Sequence, residues 1–407
     1  MSRGEPGARG AGAHPVDAFD AIAPRLRRRP DIEARDLVAA DASDRLILAS
    51  AGLDDAPPTD VVVIGDRYGA LALSLASAGH SVRAHQDALT GERAARLNAV
   101  EIGLGDDAQR TASDAVSVPG VRWHGLGAPL VSGARLVLLQ LPRSLDALGE
   151  IADVIAQHAH PGVRVVAGGR VKHMTPAMNE VLARRFETVT ADRGVGKSRV
   201  LRASGARRSV EGDSAWPRSR LDPDTGLVVC AHGAAFAGTN VDIGTRLLLS
   251  VLAQIPEAGT AIDLGCGTGV IATSYALSHP GAAVIASDQS AAAVASARAT
   301  AEANGAAAAS SGGPGVAVVR DDALGAQADG SADLVLLNPP FHSGAAVTDE
   351  IAPRLFADAA RVLRPGGELW CVWNSHLRYR PHLERLVGPT RQAARNAKFT
   401  VTVSTRR

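Results

Sequence analysis

The 407-residue chain is short of aromatic side chains, at 3%, and holds three cysteines. Cys230, Cys266 and Cys371 lie far apart with no CxxC pair. That spacing excludes a disulfide scaffold and a cysteine zinc site, and predicts a reducing, cytoplasmic setting. His342 and His376 have no metal-ligand spacing, so no metal is expected. Net charge is also nearly missing: 43 Lys+Arg against 42 Asp+Glu leave +1. A uniformly basic chain that coats nucleic acid is therefore excluded, while a local basic face stays open. No run approaches the ~18–20 apolar residues of a membrane span. The opening MSRGEPGARGAGAHP has no apolar core, so a secretion signal is not expected.

What is present is ordinary globular material, 46% hydrophobic and 21% charged, of a length that predicts two or three domains. Residues 1–30, beginning with a Gly-, Ala-, Arg- and Pro-rich stretch, are expected to be a flexible tail. Residues 204–225 are rich in Arg, Ser, Pro and Asp without periodicity, and are expected to link two halves, 31–203 and 226–407. The halves repeat one another. Val61-Val62-Val63-Ile64-Gly65 precedes Gly69, and 200 positions later Ala261-Ile262-Asp263-Leu264-Gly265 precedes Gly269. The run Ala134 to Arg143 (ARLVLLQLPR) recurs as Ala332 to Phe341 (ADLVLLNPPF). Each copy alternates short apolar runs with longer amphipathic segments. This predicts an α/β chain of two tandem, doubly wound, Rossmann-like domains, with ligands beyond the carboxyl ends of the strands.

The chemistry concentrates in the second copy. Asp263-Leu264-Gly265-Cys266-Gly267-Thr268-Gly269 spans a strand end and a helix start, where glycines let a ligand approach the backbone. Alone, such a motif marks only a tight turn. Three acids at successive strand ends extend it: Asp263, Asp288, and one of Asp321 and Asp322. Together they suit a ligand with an amine, a ribose and an adenine but no phosphates, which describes S-adenosyl-L-methionine better than a dinucleotide. The fourth strand ends Asn338-Pro339-Pro340-Phe341. Prolines stiffen that backbone, so the Asn338 side-chain oxygen and the Pro339 carbonyl can meet the two hydrogens of a planar NH2 group. Phe341 is placed to stack on the ring carrying it.

DLGCGTG, SDQS, DDAL and NPPF, in this order, resemble class I S-adenosyl-L-methionine-dependent methyltransferases acting on exocyclic or amide nitrogens. More narrowly, the chain resembles the bacterial ribosomal RNA guanine-N2 methyltransferases, in which a degenerate first copy precedes an active second one. The likeness runs through Lys172-His173-Met174-Thr175-Pro176, Asn240 to Leu248 (NVDIGTRLL) and Asn374-Ser375-His376-Leu377, and is nearer the large-subunit enzyme. It implies that Asp263, Gly265, Cys266, Gly267, Gly269, Asp288, Asp322 and Asn338 hold the cofactor. It also implies that Asn338, Pro339, Pro340 and Phe341 hold a guanine of ribosomal RNA, and it favours Asp322 over Asp321. The alternatives are methylation of adenine N6 or a glutamine amide, since NPPF serves any planar NH2, and an RNA-binding pseudo-enzyme without turnover.

In the first copy Val63, Arg67, Gln86 and Gln140 stand opposite Asp263, Gly267, Asp288 and Asn338. Each chemical position has changed while the apolar pattern is kept. The first half is thus expected to fold without binding cofactor, as a scaffold or an RNA-docking surface. A basic C-terminus, eight Lys/Arg against Glu384 alone from His376 onward, suits phosphate contacts.

Overall fold

The computed structural model describes residues 14–34, 36–53, 60–106, 114, 116–208, 215–310, 312–340 and 345–407. They fall into two compact units. One comprises Met1–Gln86, Gly91–Arg143 and Ile151–Arg208, the other Asp87–Thr90, Ser144–Glu150 and Ser209–Arg407.

The first unit carries β1 (Asp60–Ile64), β2 (Ser81–His85), β3 (Val121–Trp123), β4 (Leu136–Gln140), β5 (Arg164–Arg170), β6 (Phe186–Ala191) and β7 (Ser198–Ala206). The sheet order is β3-β2-β1-β4-β5-β7-β6, and β7 runs antiparallel to both its neighbours. The second unit opens with a ribbon of β8 (Arg218–Leu221) and β9 (Val228–Ala231). It continues with β10 (Thr260–Leu264), β11 (Ala283–Asp288), β12 (Gly315–Arg320), β13 (Ala332–Leu337), β14 (Leu363–Asn374), β15 (Thr390–Arg395) and β16 (Phe399–Thr405). Its order, β12-β11-β10-β13-β14-β16-β15, is the same topology again. The repeat read from the sequence is therefore a repeat of fold.

The central strands are apolar on both sides because both sides are covered. Ala261, Leu334, Leu336 and Trp370 join one core cluster with Tyr275, while Ile262, Leu264, Val335 and Leu337 join another with Phe356. Successive residues of a strand point to opposite faces, so one run serves both clusters. Burying each Leu, Ile or Phe contributes about 1.5–3 kcal/mol. The strand order reverses between β10 and β13, which puts a crevice at their carboxyl ends.

β9 lies along the helix Ala291–Ala303. The Ser296 and Thr300 hydroxyls accept the N–H groups of His232 (2.9 Å) and Cys230 (3.0 Å), and Asn304 Oδ1 accepts that of Val228 (3.0 Å). Four helical residues rise about 6 Å and two strand residues about 6.7 Å, so acceptors spaced by four match donors spaced by two. The exposed edge of the ribbon is thereby paired.

Two boundaries differ from the sequence expectation. Residues 1–30 are not a tail throughout: Pro15–Ile22 is a helix whose Phe19 and Ile22 lie in the core of the first unit. Its i, i+3, i+4 apolar spacing was masked by the low-complexity flank. The expected linker 204–225 begins inside β7 and contains β8. All four residues of β8 are exposed, and without alternation they carry no strand pattern. Among the described residues no helix is long and apolar enough to cross a membrane, and no three His, Cys, Asp or Glu are grouped to hold a metal ion.

Candidate active site

The carboxyl edge of the second sheet gathers the ends of β10, β11, β12 and β13. Asp263, in β10, has no exposed surface. Its Oδ2 accepts the Ala272 N–H at 2.9 Å, near the start of the helix Val270–Ser278. Its Oδ1 is buried with no hydrogen-bond partner. Burial, aided by the charge of Asp288 and opposed by the Ala272 bond, pushes the carboxyl pKa up to about 7.

Beyond β10 the three glycines differ in purpose. Gly265 (φ +71°) and Gly267 (φ +53°) adopt left-handed conformations, and a Cβ on either would meet nothing within 4 Å. They line open space. Gly269 (φ +75°) instead faces Ala297, whose Cα would sit 2.9 Å from an added Cβ, so it lets two helices approach. Cys266 packs its side chain into the core, where burial raises the thiol well above its ordinary pKa. It has only its backbone to offer a ligand.

Asp288, at the end of β11, braces this loop. Its Oδ2 accepts from Gly267 N–H (3.0 Å) and its Oδ1 from Ser290 N–H (2.9 Å); burial raises its pKa. After β12 the adjacent acids separate. Asp321 is consumed in its own turn, accepting from the N–H groups of Asp322 and Ala326, both at 2.8 Å. Asp322 holds Arg354 Nη2 at 2.6 Å.

Asn338 follows β13. Its Nδ2 donates to Asp242 Oδ2 (3.1 Å) and to Thr245 Oγ1 (3.0 Å), while its Oδ1 is buried without a partner. Asp242 also caps the helix Ile243–Leu249, accepting from Gly244 N–H at 2.8 Å. Pro339 is buried and Pro340 exposed. Phe341 lies outside the described residues. Asp242 and Thr245 belong to the NVDIGTRLL stretch. An acid before a run of helix formers is a capping signal in sequence, but its reach to Asn338, 96 residues on, is not.

The edge thus offers two unpartnered buried oxygens, on Asp263 and Asn338, beside backbone left open by glycine. Buried polar atoms are nearly always paired, and these two acceptors keep capacity for a donor. The same region of the first unit is closed. Asp66 accepts from the N–H groups of Leu71 (3.2 Å) and Ala72 (2.7 Å), and Gln86 Nε2 donates to the Asp66 carbonyl.

Over 381 residues the chain is 37% identical to the ribosomal RNA large subunit methyltransferase G of Pseudomonas aeruginosa, covering 92% of this chain and 96% of that protein. The enzyme of the same name from Streptomyces avermitilis is 34% identical over 92% of this chain and 95% of its own length. The chain belongs to this methyltransferase family. Residues 226–403 match the methyltransferase small domain, and residues 18–207 match the RLMG N-terminal domain. The second match begins inside the Pro15–Ile22 helix, in keeping with its place in the folded unit. Among solved structures, the T. thermophilus 16S rRNA N2 G1207 methyltransferase, in complex with AdoMet and guanosine, is similar with a TM-score of 0.68. It is 22% identical, over 90% of this chain and 92% of that one. At that identity the likeness is one of fold.

Proposed function

We propose that this chain transfers a methyl group from S-adenosyl-L-methionine to the exocyclic N2 amine of a guanine in large-subunit ribosomal RNA. The observation that carries the reading is the unpartnered Asn338 Oδ1, held beside the stiff Pro339-Pro340 backbone at the edge that also holds the open Gly265 and Gly267. The relatives named for the large subunit, and the fold neighbour named for guanine N2, support it.

Bound cofactor supplies an electrophilic methyl group on a sulfonium. The residues present fit it. Asp263 Oδ1 would accept from its cationic end, and Gly265 and Gly267 would give close access to the backbone; by the resemblance Asp288 would take ribose hydroxyls and Asp322 the adenine amine. Cys266 and Gly269 contribute by packing. Asn338 Oδ1 and the Pro339 carbonyl each take one hydrogen of the target NH2, which fixes the plane of the base and aims the nitrogen. Phe341 is assigned, from the resemblance alone, to stack on the ring. Orientation of the nitrogen, rather than a strong base, carries the rate.

Nucleoside mass spectrometry of large-subunit ribosomal RNA tests this: cells lacking the protein lose N2-methylguanosine at one position, and the wild-type chain restores it. An unchanged level refutes it. Asn338→Ala lowers the rate about 10²–10³-fold, as removal of one preorganised hydrogen-bonding group does.

A further inference from the structure

An asparagine amide is nearly symmetric in shape, and rotation about its last bond exchanges an acceptor for a donor. Which end faces a ligand therefore has to be set by something else. Asp242 can only accept when ionised, and its Oδ2 already receives the Gly244 N–H at 2.8 Å. The only end of Asn338 it can pair with is Nδ2, at 3.1 Å. Thr245 Oγ1, 3.0 Å away, takes the second hydrogen. Gly244 makes room for the arrangement: a Cβ there would come within 3.2 Å of Asn338 Oδ1 and 3.4 Å of Nδ2. Turning the amide over would set its oxygen against the carboxylate and leave two N–H donors facing the ligand.

We propose that Asp242 and Thr245 are positioning residues that lock the Asn338 amide with its oxygen toward the substrate, so that the site selects an NH2 donor and rejects a carbonyl. The proposal rests on the reading of Asn338 as the acceptor for guanine N2. It adds the source of its specificity: an acidic helix cap far away in sequence decides the polarity of the motif. Neither residue touches the substrate.

The test uses the full chain carrying Asp242→Ala, Asp242→Asn, Thr245→Val, Asn338→Ala and the double variant Asp242→Ala/Asn338→Ala. Methyl transfer to large-subunit ribosomal RNA is measured together with inhibition by guanosine and by inosine, which lacks the N2 amine. For Asp242→Ala, kcat falls about 10- to 100-fold, the scale of a small misplacement of a positioned group, and the preference for guanosine over inosine disappears. Cofactor affinity stays within about twofold, because the lost contact does not face the cofactor. Asp242→Asn keeps an oxygen able to accept from both neighbours and restores most of kcat. Thr245→Val loses several-fold, and it reads the same device without removing the helix cap. The double variant is no slower than Asn338→Ala, because Asp242 acts through Asn338. Losses that add in the double variant, or full activity with intact guanosine preference in Asp242→Ala and Thr245→Val, overturn the proposal while the assigned function stands. A wild-type chain that makes no N2-methylguanosine overturns both.

Discussion

The side chain of Gln140 lies against Gly65: a Cβ added to the glycine would stand 3.4 Å from Gln140 Cβ and 3.1 Å from its carbonyl oxygen. The corresponding space over Gly265 in the second unit is open. Both strand-end amides are tied to an acid at the start of an earlier helix, Gln140 to Asp44 and Asn338 to Asp242. The tether is common to the two copies. The backbone carbonyl and Cβ of Gln140 close on Gly65, whereas Asn338 keeps a buried oxygen without a partner. In the first unit Asp66 also takes up the helix-capping task that Asp263 performs in the second, on the N–H of Ala72 and Ala272 respectively.

The first unit is accordingly proposed to bind no cofactor. Titration calorimetry of the full chain with S-adenosyl-L-methionine is expected to give one site per chain, and Gly267→Arg, which copies Arg67, is expected to abolish it. Two sites, or binding that survives the substitution, refute the assignment.

Gly267 and Gly269 separate by function. Gly267→Ala places a side chain at φ +53° in open space. It costs about 1–2 kcal/mol of backbone strain and lowers cofactor affinity at least tenfold, a difference of about 1.4 kcal/mol or more. Gly269→Ala drives a methyl onto Ala297 Cα. Overpacking of that kind costs about 1–3 kcal/mol in addition to the strain, so the thermal midpoint falls further. The two variants are compared by calorimetric melting and by cofactor titration; equal melting points contradict the division.

Asp263 is proposed to make cofactor binding depend on pH. Its folded pKa is raised to about 7 from 3.8, so between those values the folded chain holds a proton that the unfolded chain has released. The stability contributed by this group is therefore present below pH about 4 and declines as pH rises through about 7. A cationic ligand favours the ionised form, so cofactor affinity rises from pH 5.5 to 7.5 with uptake coupled to proton release. Asp263→Asn flattens both trends in the share that this residue contributes. Calorimetry in buffers of different ionisation enthalpy measures the released proton; an affinity independent of pH in the wild type refutes the role of Asp263.

Arg246 supports the same helix that carries Asp242 and Thr245. It pairs with Asp222, which is fully buried, at 2.5 Å, and with the exposed Asp224. Arg246→Ala leaves a buried carboxylate without its cation and is expected to destabilise the unit by about 3 kcal/mol, near the lower end for such breaks because Arg246 keeps part of its surface in water. Denaturant unfolding measures it. A change below about 0.5 kcal/mol would mean that the pair behaves as a surface ion pair.

The basic C-terminus contains both engaged and exposed cations. Arg380 pairs with Glu384, Arg391 lies over the Trp370 ring, and Arg406 donates to the carbonyls of Arg361 and Leu363. Arg385, Arg395 and Lys398 are exposed and are proposed as phosphate contacts. Replacing each by Ala is expected to weaken RNA binding and to reduce the slope of log affinity against log salt by about 1. Filter binding across a salt series checks this, and unchanged slopes would remove the C-terminus from the RNA surface.

Much of this was legible without coordinates, because it rests on local periodicity. Continuous apolar runs ending in glycine or asparagine specify buried parallel strands and the loops after them, and their recurrence 200 positions on specifies a second copy. β8 and the Pro15–Ile22 helix were not legible. A fully exposed strand has no alternation, and a short amphipathic helix loses its signal beside a Gly/Ala-rich flank. The candidate residues were readable one at a time, but not what each one does: Asp263 and Asp288 both hold backbone N–H groups, Asp321 closes a turn, and Gly269 serves packing.

The amino-acid sequence by itself determined the duplicated α/β fold, the loss of the chemical side chains from the first copy and the family to which the chain belongs. Those properties follow from residue type and spacing along the chain. Only the tertiary structure decided which oxygens lack partners, which glycines face open space, and that Asp242 accepts from the Asn338 amide. The reason is physical: the availability of a polar atom depends on every neighbour that folding brings to it, and for Asn338 those neighbours lie more than ninety residues away.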